Sequence, residues 1–122
     1  IAAVPALIAQ GMAAAERLVP GIRPVPFGHM GDGNIHFNFS QPVGADPKAF
    51  MAENDEKLHE AIYAIVLRLG GSVSAEHGIG QLKVDLLKQV KDPVALDMMR
   101  AIKTALDPKG ILNPGKMLRT GP

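Results

Sequence analysis

Phe27-Gly28-His29-Met30-Gly31-Asp32-Gly33-Asn34-Ile35-His36-Phe37-Asn38 is the stretch from which the rest of this chain can be read. Asp32-Gly33 sits between two short runs suited to strands. Asp-Gly is a strong hairpin signal, because a type I′ turn needs positive φ at both central residues. With that pair at the turn, counting outward sets Gly31 opposite Asn34, Met30 opposite Ile35, His29 opposite His36 and Phe27 opposite Asn38. Directly opposed residues have Cβ atoms about 4.5–5.5 Å apart, close enough for two imidazoles to share one ion. Alternation then places His29, His36 and Asn38 on one face, and Ile35, Phe37 and Phe39 on a core face.

Around this hairpin lie 122 residues, 47% of them apolar, enough to bury a core and suited to one domain, 1–122. The 13 basic and 12 acidic residues are interspersed, and only 4% of residues are aromatic. That composition offers neither a basic footprint nor a stacking platform for nucleic acid. Without cysteine there are no disulfides and no thiolate chemistry. No apolar run reaches the length of a transmembrane segment. The chain opens on Ile1, and Ile1–Ala15 lacks the basic n-region of a signal peptide, so a piece of a longer, cytoplasmic protein is expected, with peripheral membrane association left open.

Residues 1–19 can form a helix with Ala3, Leu7, Met12 and Leu18 as its stripe and Pro5 in the first turn. Three prolines in Pro20–Pro26 predict an extended entry at a sheet edge. Strands are expected at roughly 25–29 and 34–40. Asp46-Pro47 reads as an N-cap followed by proline at the first helical position. A long helix to Leu69 follows, with Phe50, Leu58, Ile62, Ile65, Val66 and Leu69 buried, stopped by Gly70-Gly71. Ser72–Ala75 reads as a short strand running into Glu76-His77-Gly78-Ile79-Gly80. A helix from about Gln81 to Val90 comes next. Asp92-Pro93 then starts another through Leu96, Met99, Ile102 and Leu106, which Asp107-Pro108-Lys109-Gly110 ends. The tail Ile111–Leu118 is a turn with apolar flanks, and Arg119–Pro122 is expected to fray. The sum is an α+β fold, a mainly antiparallel sheet with helices on one face and a helical carboxy-terminal tail.

Of the four histidines, His59 lies mid-helix among charged residues and reads as solvated. His29, His36 and Glu76 together make a standard first shell for zinc or a similar divalent ion, leaving a position for water or substrate. His77 follows Glu76 directly, and neighbours on a strand face opposite ways. It is therefore assigned a separate task, as a general base; imidazole titrates near working pH. A turn with ordinary polar residues would also explain these histidines. Dense glycine at 28, 31, 33, 78 and 80 suggests close backbone approach to a flat or phosphorylated group, although neither Gly-x-Gly has the context of a dinucleotide fingerprint.

Three blocks in order, Gly28–His36, Glu76–Gly80, and Leu106-Asp107-Pro108 with Ile111–Lys116, resemble the carboxy-terminal part of the FAD-linked oxidase family, flavoproteins of the vanillyl-alcohol-oxidase type. The resemblance spans roughly Val25 to Leu118 and points to the D-2-hydroxyacid branch, which oxidises D-lactate, glycolate or D-2-hydroxyglutarate. It implies a divalent metal, zinc or manganese, on His29, His36 and Glu76. It also implies His77 beside the flavin as base, Asn38 near the substrate, and Asn113, Gly115 and Lys116 toward the cofactor. The FAD-binding domain of that family is missing from this chain, so the sheet is expected to be half of a larger one, with an edge exposed unless chains pair as a homodimer.

Together these readings predict oxidation of a 2-hydroxy acid to the 2-oxo acid by hydride transfer to FAD. His77 takes the hydroxyl proton, and a separate electron acceptor follows. Two rival classes use the same residues. A metal-dependent hydrolase would need no flavin, and a non-catalytic structural module would tolerate loss of every histidine.

Overall fold

A computed structural model describes residues 1–119, so Thr120, Gly121 and Pro122, expected to fray, lie outside the described residues. The chain divides into two compact units, 1–75 and 76–122.

In the first unit, helix α1 (Val4–Leu18) leads into a hairpin of β1 (Arg23–His29) and β2 (Asn34–Ser40), and α2 (Pro47–Arg68) follows. The hairpin is antiparallel, but its register differs from the expected one. Met30–Asp32 form a 3-10 turn closed by Gly33 at φ 74°, whose N–H donates to Met30 O at 3.1 Å. Only Gly33 needs left-handed backbone here, whereas a two-residue turn would have forced Asp32 there as well. His29 therefore faces Asn34 rather than His36, His36 faces Phe27, and Asn38 faces Val25. A shift of two residues preserves the faces, because side-chain direction has period two.

Gly28 is required by this pairing. Its φ is 149°, and a Cβ there would lie 2.4 Å from Asn34 O and 3.1 Å from Ile35 Cα. Pro24 and Pro26, two positions apart on β1, put both missing donors on the same outer edge.

Helices cover the hairpin face that carries Phe37 and Phe39. Phe39 packs with Val19 and Phe50 against the buried cluster Ala15, Ile22 and Leu58. The buried side of α1 is not the large apolar stripe expected from Leu7, Met12 and Leu18. It is Val4, Gly11, Ala14 and Ala15, while Met12 and Leu18 are exposed. Small residues win because α1 lies close to its neighbours: a Cβ on Gly11 would come within 2.5 Å of the Phe37 ring and 3.1 Å of Ile62.

On α2, Leu58, Ile62 and Ile65 are buried as expected. Asp46 caps it by accepting from Ala49 N–H at 2.8 Å, and Gly70 at φ 73° ends it. Ser72–Ala75 is irregular rather than a strand. Ser72 Oγ accepts from Ser74 N–H and donates to Ser74 O, both at 3.2 Å, a local side-chain bond that competes with strand pairing for the Ser74 backbone.

The second unit holds α3 (Val84–Val90) and α4 (Pro93–Leu106). Helix α3 starts three residues later than expected. Asp92 caps α4, accepting from Val94 N–H at 2.8 Å and Ala95 N–H at 3.2 Å. Leu87, Leu96 and Leu118 form the core, with Ile79 and Met99 packed on it. Ile102 and Leu106 lie on an exposed row of α4 with Val94 and Met98.

Candidate functional site

The hairpin face turned away from the helix-covered one carries Val25, Phe27 and His29 from β1 and Asn34, His36 and Asn38 from β2. Val25 and Phe27 are about half exposed there. His29 and His36 share this face as diagonal neighbours. Diagonal residues lie about 7–8 Å apart, a spacing from which two imidazoles can converge on one ion. The Phe27 ring stacks on the His36 imidazole, centroids 5.1 Å apart and planes 19° from parallel, which restricts the orientation of that ring.

Asn38 is exposed and borders a groove of about 230 Å³ lined on the helix side by Phe50, Met51, Asp55, Leu58 and His59. His59 is not merely solvated. Its Nδ1 lies 3.4 Å from Asp55, and its ring stacks on Tyr63 at 5.7 Å and 8°. The i−4 and i+4 spacing of these residues on one helix was the available signal. Burial, then the Asp55 charge, push the Tyr63 phenol above its ordinary 10.0, since both disfavour the phenolate.

Glu76 and His77 are exposed in the second unit, on bends between Ala75 and Gly80. No strand alternation operates there, so the separation of their roles by opposite faces does not apply. His29 and His36 belong to the first unit, Glu76 and His77 to the second. Among the described residues no three His, Cys, Asp or Glu side chains are grouped as a metal site.

In the tail, Asn113 and Gly115 are exposed with left-handed backbone, φ 51° and 72°, and Lys116 is half-buried. The residue missed by reading the sequence is Asp107, a buried carboxylate. It accepts from Lys103 Nζ, from Ile111 N–H at 3.0 Å and from Leu112 N–H at 3.0 Å. The Lys103 hydrogen bond, helped by the two backbone donors, holds its carboxyl below the ordinary 3.8. An aspartate opening a Pro-x-Gly turn four residues after a lysine was the signal.

A family model described as FAD linked oxidases, C-terminal domain, matches residues 1–117. The chain is similar to a D-2-hydroxyglutarate dehydrogenase of Stutzerimonas stutzeri, with 37% identity over 114 residues, covering 93% of this chain and 24% of that protein. The mitochondrial D-2-hydroxyglutarate dehydrogenase of Bos taurus is 46% identical over 105 residues, 85% of this chain and 18% of that protein. A D-lactate dehydrogenase of Archaeoglobus fulgidus is 37% identical over 99 residues, 81% of this chain and 21% of that protein. The chain thus spans about a quarter or less of the length of these curated relatives.

Proposed function

The chain belongs to the family of FAD linked oxidases, C-terminal domain, and from that premise we propose that it is the substrate-facing segment of a longer FAD-dependent oxidoreductase acting on a 2-hydroxy acid. The carrying observation is the match over residues 1–117, with relatives named for D-2-hydroxyglutarate and D-lactate dehydrogenases. The geometry supports it in two places. The hairpin presents His29, His36 and Asn38 on one face, and the helices pack on the other. On α4, Val94, Met98, Ile102 and Leu106 form an exposed apolar row at i, i+4 spacing, as expected of a surface covered by further polypeptide.

FAD, when bound, supplies the hydride acceptor for C2 of the substrate, and a divalent ion, zinc or manganese, would add positive charge at the substrate oxygens. The imidazoles of His29 and His36 fit two positions of that ion's donor set, and the Glu76 carboxylate is assigned the third. His77 accepts the hydroxyl proton as C2 gives up its hydride, so the 2-hydroxy acid loses one proton and one hydride and leaves as the 2-oxo acid. The Asn38 carboxamide, which can both donate and accept, orients the substrate. Asn113, Gly115 and Lys116 contact the cofactor or the domain that carries it. A separate electron acceptor, a homodimer and a cytoplasmic setting belong to the same reading. Acceptor assays, size-exclusion chromatography and fractionation of the full-length protein test them.

The deciding experiment is elemental analysis of the full-length protein together with its visible spectrum. A flavin spectrum with about one divalent ion per chain is expected. Flavin without metal would discard the ligand assignment and keep the oxidoreductase; metal without flavin would favour a hydrolase. His36→Ala is expected to lose the metal. His77→Ala is expected to lower turnover with flavin still bound, and retained turnover would refute the base assignment.

A further inference from the structure

The loop that carries His77 is fastened to the chain's own tail. Met117 N–H donates to Gly80 O at 2.7 Å. The next residue, Leu118, is 6% exposed and sits in the cluster on which Ile79 packs. The tail therefore meets the loop twice, by a hydrogen bond to Gly80 and through the apolar cluster on which Ile79 packs. Met117 makes its bond from left-handed backbone, φ 58°, a conformation that persists only where the surroundings over-determine it.

The path of the tail is set upstream. The Asp107 carboxylate binds Ile111 N–H and Leu112 N–H at the start of the tail, and Lys103 Nζ ties that carboxylate to Leu112 O. From His77 to Gly80 the loop belongs to no helix or strand, and two of its four residues are glycine.

We propose that residues 107–118 form a strap that sets the position of His77, with Asp107 and Leu118 as positioning residues that do not touch the substrate. This rests on the reading of His77 as the base. Proton transfer requires heavy-atom approach of about 2.6–3.2 Å. A misplacement of about 1 Å can cost about a hundredfold in rate, so a released strap is expressed chiefly in kcat.

The test uses the full-length flavoprotein with Leu118→Ala, Asp107→Asn and the volume-conserving Leu118→Met. Hydrogen exchange is followed at Met117, whose N–H makes the bond to Gly80 O, with the 23–40 hairpin as internal reference. Leu118→Ala and Asp107→Asn are expected to raise exchange at the Met117 amide, the donor to Gly80 O, about tenfold or more with the hairpin unchanged, the signature of local rather than global opening. Both are expected to lower kcat about tenfold with less than threefold change in KM and unchanged flavin absorbance. Leu118→Met is expected to restore both readouts. In the background of His77→Ala, Leu118→Ala is expected to cost nothing further, because the two act through one group. Unchanged exchange at the Met117 amide, or a full multiplicative loss on top of His77→Ala, would overturn the strap. If His77→Ala alone retains turnover, the base reading fails, while the exchange data still decide whether the strap holds the loop. Should Asp107→Asn fail to fold, the Leu118 pair carries the test.

Discussion

Replacing Gly28 by alanine tests the hairpin register and the site built on it in one step. The new Cβ would stand 2.4 Å from Asn34 O and 3.1 Å from Ile35 Cα, both backbone atoms of the paired strand, at a φ of 149°. Neither obstacle can rotate away as a side-chain tip would. The unfavourable φ costs about 1–3 kcal/mol, and forcing extra volume into a packed contact costs about 1–3 kcal/mol. Partial relaxation relieves both together, so a net loss of about 2–4 kcal/mol is expected. Gly31→Ala is the matched control, since nothing lies within 4 Å of a Cβ there and its φ is not left-handed. It should fall within about 0.5 kcal/mol of the parent. Tyr63 is the only tyrosine, the chain has no tryptophan, and it lies on α2 in the same unit as the hairpin. Its fluorescence in a urea titration therefore reports the unit that carries the change. Equal midpoints for the two variants would refute the register, and with it the diagonal placement of His29 and His36.

Three further outcomes follow from the packing and the titrating groups. Gly11→Ala gains about 1 kcal/mol of helix propensity but drives a methyl toward the Phe37 ring at 2.5 Å; overpacking at about 1–3 kcal/mol wins, so the midpoint should fall, and Phe37→Leu in the same chain should recover part of the loss. Asp107 holds its proton less tightly folded than unfolded, so it stabilises the fold above its ordinary 3.8, and this contribution is lost as pH falls through the lower native value. Acid unfolding followed by helical circular dichroism should show that slope in the parent and lack it in Asp107→Asn. The Tyr63 phenolate band should appear above the ordinary 10.0 on alkaline titration, and Asp55→Asn should bring it partway down, because burial, the larger cause, remains.

The sequence alone determined the elements whose signals are local. Asp46-Pro47 and Asp92-Pro93 marked two helix starts because cap and proline act within one turn of backbone. The alternation of Ile35, Phe37 and Phe39 against His36 and Asn38 set the faces of β2, and the faces survived a register shift because side-chain direction depends only on parity. The three blocks Gly28–His36, Glu76–Gly80, and Leu106-Asp107-Pro108 with Ile111–Lys116 carried the resemblance that the match over 1–117 bears out.

What remained belonged to tertiary structure. The register was decided by how cheaply the 30–33 loop could close, with one left-handed residue instead of two. The buried face of α1 was decided by how closely α1 could approach Phe37 and Ile62, a contact that selects Gly11, Ala14 and Ala15 over the larger Leu7 and Met12. Ser72–Ala75 lost its strand to a serine, Ser72, whose hydroxyl bonds the backbone of Ser74. The role of Asp107 required the return of Ile111 and Leu112 onto its carboxylate, and the hold on Gly80 required Met117 to come back across the unit. Composition and periodicity record what a residue prefers along its own segment. Which distant backbone groups meet it is set only when the chain has packed.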